Sequence, residues 1–409
     1  MEQAPRAWRQ RLTNILGELG YSPSTCDPGA YFKMERCKVE CILLVYVDDI
    51  LIGCPSPATA QHFKETLSQY VQIKDLQACK HILGIAVRRS NTGIHLTQSH
   101  VLKQLLADNG MLHCRPTSVP ITVSYMQDHC WSGGGAAASA ASAHQDVRTF
   151  PQQQDNLPVD RDQNSPGRKL HQTPAPQEQQ DSPSSSISSS DSPSHAPHMT
   201  VSNQDSDNLT APAQSKFQSV LGVLLYVSTC TRPDISFTVS VLCRKMQQAN
   251  NKDMEALKHL LKYIQGTADD ELTLGKAQKG LTCYTDSSFA DCRMTRRSSA
   301  GYLFQFMGGT VSWRAQLQKT VALSTAESEY MGLTAAVQEG IYLRQLLQEL
   351  ELTETGVVQH NNIIVRPTGY DSTIRNLEVQ MDNKAAILIA GQHAPSARSK
   401  HIAVRHSYV

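Results

Sequence analysis

The chain has 409 residues and a net charge of +1. That leaves room for two or three domains and gives no global electrostatic case for nucleic acid, so any such case must rest on local sites. Its eleven cysteines are scattered, odd in number and without paired short spacings, which reads as reduced intracellular thiols and argues against a disulfide framework or a zinc knuckle. Met1-Glu2-Gln3-Ala4-Pro5-Arg6 is no apolar leader and no stretch approaches membrane-spanning length, so the expected protein is soluble, is not secreted and works in the cytoplasm or nucleus.

Residues 6–20 predict an amphipathic helix with Trp8, Leu12, Ile15, Leu16 and Leu19 on one stripe and Gly20 as its stop. The run Cys41-Ile-Leu-Leu-Val-Tyr-Val-Asp48-Asp49-Ile-Leu-Ile-Gly53 follows. About seven apolar residues are too few for a helix and suit a strand, so the stretch predicts a hairpin with acid at its tip. Adjacent carboxylates that are buried or half-buried cost several kcal/mol unless a hard divalent cation sits between them. A solvated tight turn is the competing reading. Ala58–Tyr70, with Phe63, Leu67 and Tyr70 on one side, predicts a second helix. Strands follow at Ile82–Arg88 and Ile94–Thr97, joined through Ser90-Asn91-Thr92-Gly93, and then a helix at Val101–Gly110.

From Met126 to Ala211 the composition turns to glycine, alanine, glutamine, proline and serine. Too few large apolar residues remain to offset chain entropy, and a disordered spacer is expected. Helices resume at Phe217–Tyr226, Ile235–Met246 and Met254–Ile264, around the turn Thr231-Arg232-Pro233-Asp234. Gly280 to Asp286, Ala300–Phe306 and Thr310–Trp313 predict an antiparallel meander with a turn at Gly308-Gly309. A long helix at Thr325–Leu350, a strand Leu377–Met381 ending in Asp382, and a helix Lys384–Gly391 capped by Asn383 complete the order.

Tyr46-Val47-Asp48-Asp49 and its flanks resemble the catalytic hairpin of reverse transcriptases in copia-like LTR retrotransposons. Gln3-Ala4-Pro5-Arg6-Ala7-Trp8, Ile82-Leu83-Gly84-Ile85, Thr231-Arg-Pro-Asp-Ile235, Thr285-Asp286 and Lys400-His401-Ile402 fall in that family's order. The resemblance implies an α/β and α+β chain. Residues 1–125 would be a truncated reverse-transcriptase palm and thumb, 126–211 a low-complexity linker, 212–278 a helical connection, and 279–409 a ribonuclease H-like mixed sheet flanked by helices.

It also implies a metal-dependent site. Phosphodiester hydrolysis in that fold uses two magnesium ions about 4 Å apart, with manganese as an alternative, and so requires converging carboxylates. Asp286 and Asp382 each end a strand, and Glu327 or Glu329 must come down from the helix between them. The stripe Ala326, Tyr330, Leu333, Val337 and Ile341 leaves both glutamates on its flanks. Ser324-Thr-Ala-Glu327 fits a capping box, which occupies Glu327 and leaves Glu329 free. The family's catalytic glutamate, moreover, directly precedes an aromatic residue, here Tyr330.

The implied catalytic set is Asp286, Glu329 and Asp382, with Asp48 and Asp49 as further metal ligands. Arg296, Arg297, Arg398, Lys400 and His401 would bind nucleic acid, an RNA:DNA hybrid in particular, and other Pol or Gag-derived chains are the implied protein partners. Departures are plain. Ala403 stands where the family has a fourth acid and Ser396 where it has a histidine. The upstream strand that carries the palm's further aspartate is expected to be missing, and the fingers with it. Polymerase activity is therefore expected to be incomplete and hybrid cleavage weak. The competing reading is a catalytically inactive remnant that at most binds nucleic acid.

Overall fold

Alternating burial on the hairpin strands and a helix stripe above them build the first layer. In the computed structural model, which describes residues 3–35, 38–130, 207–275, 280–355 and 378–390, α1 (Gln3–Glu18) precedes β1 (Tyr21–Pro23), β2 (Ala30–Glu35), β3 (Lys38–Tyr46) and β4 (Asp49–Gly53), and α2 (Pro57–Ser68) follows. The strands form one antiparallel sheet in sequence order. Leu12 and Leu16 of α1 and Phe63 and Leu67 of α2 pack with Tyr21, Tyr31, Cys41 and Leu43. Gly20 takes a left-handed φ of 84° to end α1. Ser56 starts α2 by accepting the Thr59 amide at 3.1 Å, with Pro57 in the first turn. Tyr70 lies past the end of α2 and is exposed.

The expected strand Ile82–Arg88 is two strands. Leu83 and Gly84 both have positive φ, 49° and 69°, so β5 (His81–Ile82) turns tightly into β6 (Ile85–Ser90), which pairs with β7 (Gly93–Thr97). The fourth strand of this sheet comes from far along the chain, β8 (Leu272–Gly275) against β7. Gly93 has φ of 141°, and a Cβ there would sit 2.2 Å from the Leu274 carbonyl oxygen, so glycine is what lets β8 close on β7.

Five helices share one core: α3 (Ser99–Asp108), α4 (Val123–His129), α5 (Ala211–Cys230), α6 (Ser236–Cys243) and α7 (Asn251–Thr267). Leu102, Leu106, Tyr125, Met126 and Cys130 are buried with Phe217, Leu224, Leu242, Leu257 and Leu260. The boundary expected between residues 125 and 126 therefore falls inside α4, because its apolar side is covered by the later helices. For the same reason the segment from Ser99 packs with the expected connection, in a core separate from that of the first sheet. Residues 131–206, most of the expected spacer, lie outside the described residues.

The last sheet holds β9 (Thr282–Ser288), β10 (Ser299–Phe306), β11 (Gly309–Leu317) and β12 (Glu378–Gln380) in the order β11-β10-β9-β12. Its meander turns at Met307-Gly308, one residue earlier than expected, where both φ values are positive. β12 runs parallel to β9, with Val379 opposite Cys283. α8 (Thr325–Thr355) covers this sheet through Ala336, packed with Leu281, Cys283 and Phe304. Tyr330 and Leu333 of α8 pack with Val379, Met381 and Ile389, which fixes β12 and α9 (Lys384–Ala390) against it. No helix among the described residues is long and apolar enough to cross a membrane.

Candidate metal centre

Parallel pairing of β12 with β9 brings the same ends of the two strands together. Asp286 stands near the end of β9 and Asp382 two residues past β12. Glu329 descends from the first turns of α8. Carboxylate oxygens of all three lie within 4.8 Å of one another. α8 reaches this close because residue 332 is glycine: a Cβ there would lie 2.4 Å from Ser287 Oγ on β9. A glycine inside a helical pattern is the sequence signal for such an approach, and the spacing of the acids alone does not supply it.

The electrostatics are those of acids crowded together. Glu329 is 7% exposed. Burial, with the Asp286 and Asp382 charges adding to it, pushes its carboxyl up to about 8, while the Ser287 amide works in the opposite direction. Desolvation and then Asp382 likewise raise the Asp286 carboxyl. Glu329 Oε2 is buried and accepts no hydrogen bond. An oxygen-only donor set with one orphaned oxygen fits a hard cation such as magnesium or manganese and does not fit a thiolate-seeking metal.

Glu327 is turned the other way. Its amide donates to Ser324 Oγ at 3.1 Å, and its Oε2 accepts the Leu323 amide at 2.7 Å. This is a capping box that reaches back one residue further than usual. Glu327→Ala is expected to cost about 1 kcal/mol of stability and to leave magnesium binding unchanged. Thermal denaturation with and without magnesium checks both.

The other predicted acids are not drawn into this cluster. Tyr46 pairs with Asp49, so Val47 and Asp48 form the hairpin turn. Asp48 and Asp49 are both exposed, which corrects the expected half-burial: a turn this short leaves both carboxylates at the tip, where water solvates them. Among the described residues no third acid, histidine or cysteine joins them in a metal-holding group. Val47 has φ of 57°, a strained value for a β-branched residue, and its carbonyl accepts the Trp8 indole N–H at 2.8 Å. That bond ties α1 to the tip, a role for Trp8 that the helix stripe alone did not reveal.

A family model described as reverse transcriptase (RNA-dependent DNA polymerase) matches residues 1–123, the part that carries this hairpin. Across its whole length the chain is 29% identical to the retrovirus-related Pol polyprotein from transposon TNT 1-94 of Nicotiana tabacum, of which it covers 24%. It is 25% identical, again throughout, to the corresponding polyprotein from transposon RE1 of Arabidopsis thaliana, of which it covers 21%. It is also 30% identical over 298 residues to the uncharacterized mitochondrial protein AtMg00810 of Arabidopsis thaliana, a match covering 72% of this chain and 91% of that protein. The chain belongs to the copia-type Pol family.

This copia-type Pol chain thus spans about a quarter or less of the two transposon polyproteins. Its reverse transcriptase-like region ends near the start of α4, and the cluster of Asp286, Glu329 and Asp382 lies beyond it. Of the predicted basic residues, Arg296 is exposed and Arg297 half-buried in the loop between β9 and β10, which starts just after Asp286. That loop is ordered by its own bonds, the Arg296 amide to the Cys292 carbonyl at 2.7 Å and the Cys292 amide to the Arg297 carbonyl at 3.1 Å. Arg398, Lys400 and His401, with Ser396 and Ala403, lie outside the described residues.

Proposed function

We propose that residues 279–409 form a ribonuclease H-like unit in which Asp286, Glu329 and Asp382 hold magnesium, or manganese in its place, and cleave the RNA strand of an RNA:DNA hybrid. The observation that carries this reading is the meeting of three carboxylates from β9, α8 and the end of β12 around an oxygen of Glu329 that has no hydrogen-bond partner. A divalent ion held there supplies Lewis-acid polarisation of a phosphate oxygen and activation of a water. Gly332 sets the depth to which α8 delivers Glu329 against Ser287 of β9. Arg296 and Arg297, on the loop after β9, would meet phosphate, with Arg398, Lys400 and His401 as the further contacts.

The test is cleavage of a labelled RNA:DNA hybrid with magnesium and with manganese. Wild-type chain is expected to cleave weakly and Asp286→Asn not at all. Ala403→Asp restores the fourth acid and should increase the rate. Parent and Ala403→Asp equally inactive with magnesium bound would favour the second reading, a remnant that binds nucleic acid without cutting it, for which Ala403 is the motivating residue.

The 409-residue chain is also expected not to extend a primer on a poly(A) template. Asp48 and Asp49 have no third acid beside them among the described residues, and polymerase chemistry needs metal held by converging carboxylates. Extension that disappears in Asp49→Asn would overturn this.

A further inference from the structure

Cys41 and Cys54 face each other at the base of the acidic hairpin. The β3–β4 ladder runs from Tyr46 opposite Asp49 to Ile42 opposite Gly53, which makes Cys41 and Cys54 the next opposed pair. In a hairpin closed by so short a turn the pair beside the turn exchanges hydrogen bonds. Alternation then makes Cys41 and Cys54 a non-hydrogen-bonded pair, whose Cα atoms stand about 4.5 Å apart with their side chains closest. That spacing falls within the roughly 4.4–6.8 Å that a disulfide bridges. Their sulfurs are 2.8 Å apart. Cys41 is fully buried and Cys54 partly exposed. Thirteen positions separate them in sequence, so only the strand register, and no short motif, reveals the pair.

We propose that Cys41 and Cys54 are an oxidisable dithiol, which a low-molecular-weight disulfide converts into a cross-strand disulfide beneath Asp48 and Asp49. Cys54, the accessible partner, attacks the oxidant as a thiolate, forms a mixed disulfide and releases one thiolate. Cys41 gives its proton to solvent, and its sulfur attacks that of Cys54, breaking the mixed disulfide and releasing the second thiolate. The dithiol loses two electrons and two protons, and the oxidant gains both and departs as two thiols. The new bond ties β3 to β4 from below and fixes the twist with which the strands enter the tip. Burial, followed by the hydrogen bond with Cys41, pushes the Cys54 thiol up to about 12, so exchange is slow at neutral pH and quickens in mild alkali.

The experiment treats the folded 409-residue chain overnight with oxidised glutathione at mildly alkaline pH. Remaining thiols are then blocked with iodoacetamide in denaturant, and the chain is digested with trypsin without reduction. The peptide from Val39 to Lys64 contains both cysteines and no other. It is expected mainly as a form two hydrogens lighter than the dithiol, carrying no carbamidomethyl group, and returning to the doubly blocked mass when dithiothreitol precedes the block. In Cys54→Ser the peptide should carry one carbamidomethyl group on Cys41. Wild-type peptide that is doubly carbamidomethylated, or that keeps glutathione on Cys54 with Cys41 carbamidomethylated, would overturn the proposal.

Discussion

Replacing Arg232 with methionine is expected to destabilise the helical core by about 3–5 kcal/mol, read as a lower denaturant midpoint with an unchanged slope. Arg232 is 3% exposed and uses its whole fork. Nε and Nη2 donate to the two oxygens of Asp234 at 2.9 and 2.7 Å, and Nη1 and Nη2 donate to the Thr267 carbonyl and hydroxyl at 2.9 and 2.7 Å. Thr267 ends α7, so the guanidinium shares with the Asp270 amide a carbonyl left without a partner inside the helix, and it sits at the negative end of the helix dipole. Methionine would fill the space and leave the half-buried Asp234 carboxylate without its cation, with the Tyr263 hydroxyl at 2.9 Å as its remaining side-chain donor. Asp234→Leu added to Arg232→Met should recover much of the loss, because the stranded charge is then gone. A single-mutant cost below about 1 kcal/mol, the range of an exposed pair, would show that the ion pair is not what holds this corner together. Burial raises the Asp234 carboxyl, but the Arg232 fork and Tyr263 outweigh it, and the net value lies below the usual 3.8. A carboxyl lowered by folding contributes in full above its unfolded value and loses that contribution as pH falls through the folded one, so this corner should yield only in strong acid.

The Thr231-Arg-Pro-Asp turn was legible in the sequence as a turn, but the interaction that makes it matter was not, since it depends on Thr267 arriving from α7. The same division holds elsewhere. Helix stripes and strand alternation are local properties, and they place α1, α2, α7, β9 and β10 within a few residues of where they stand. Which element meets which is a property of distant pairs. No period in the sequence shows that β8 completes the sheet of β5, β6 and β7, or that Met126 and Cys130 are covered by α5 and its neighbours. The exposure of Asp48 and Asp49 was misjudged for a local reason. An apolar run suggests burial, yet its turn residues project beyond the sheet however apolar the flanks are. For Glu327 and Glu329 the helical period left the choice open; the capping pattern, which needs four consecutive residues and nothing distant, favoured Glu329 together with the resemblance at Tyr330, and Glu329 is the one that lies with Asp286 and Asp382.

Magnesium is expected to raise the thermal midpoint of the wild-type chain and to leave that of Asp286→Asn unmoved. A cation that binds the folded chain alone stabilises it by about 2.7 kcal/mol at a hundredfold excess over Kd, which amounts to several degrees for a unit of this size. Asp286 is the right residue to change because it faces both other acids, and an amide in its place halves the charge that Asp286 and Asp382 offer a cation while keeping the shape. Without magnesium the order should reverse. The Asp286→Asn variant then relieves repulsion within the 4.8 Å cluster and should melt above wild type. The pH dependence has a definite sign. Folded Glu329 keeps its proton up to about 8, against 4.5 for an ordinary glutamate, so between those values the folded chain binds more protons than the unfolded one, and metal-free stability falls as pH rises. Magnesium, which prefers the ionised carboxylates, should flatten that slope and do so only while Asp286 is present. An equal magnesium shift in wild type and Asp286→Asn would place the binding elsewhere and remove the main support for a catalytic centre at the junction of β9, α8 and β12.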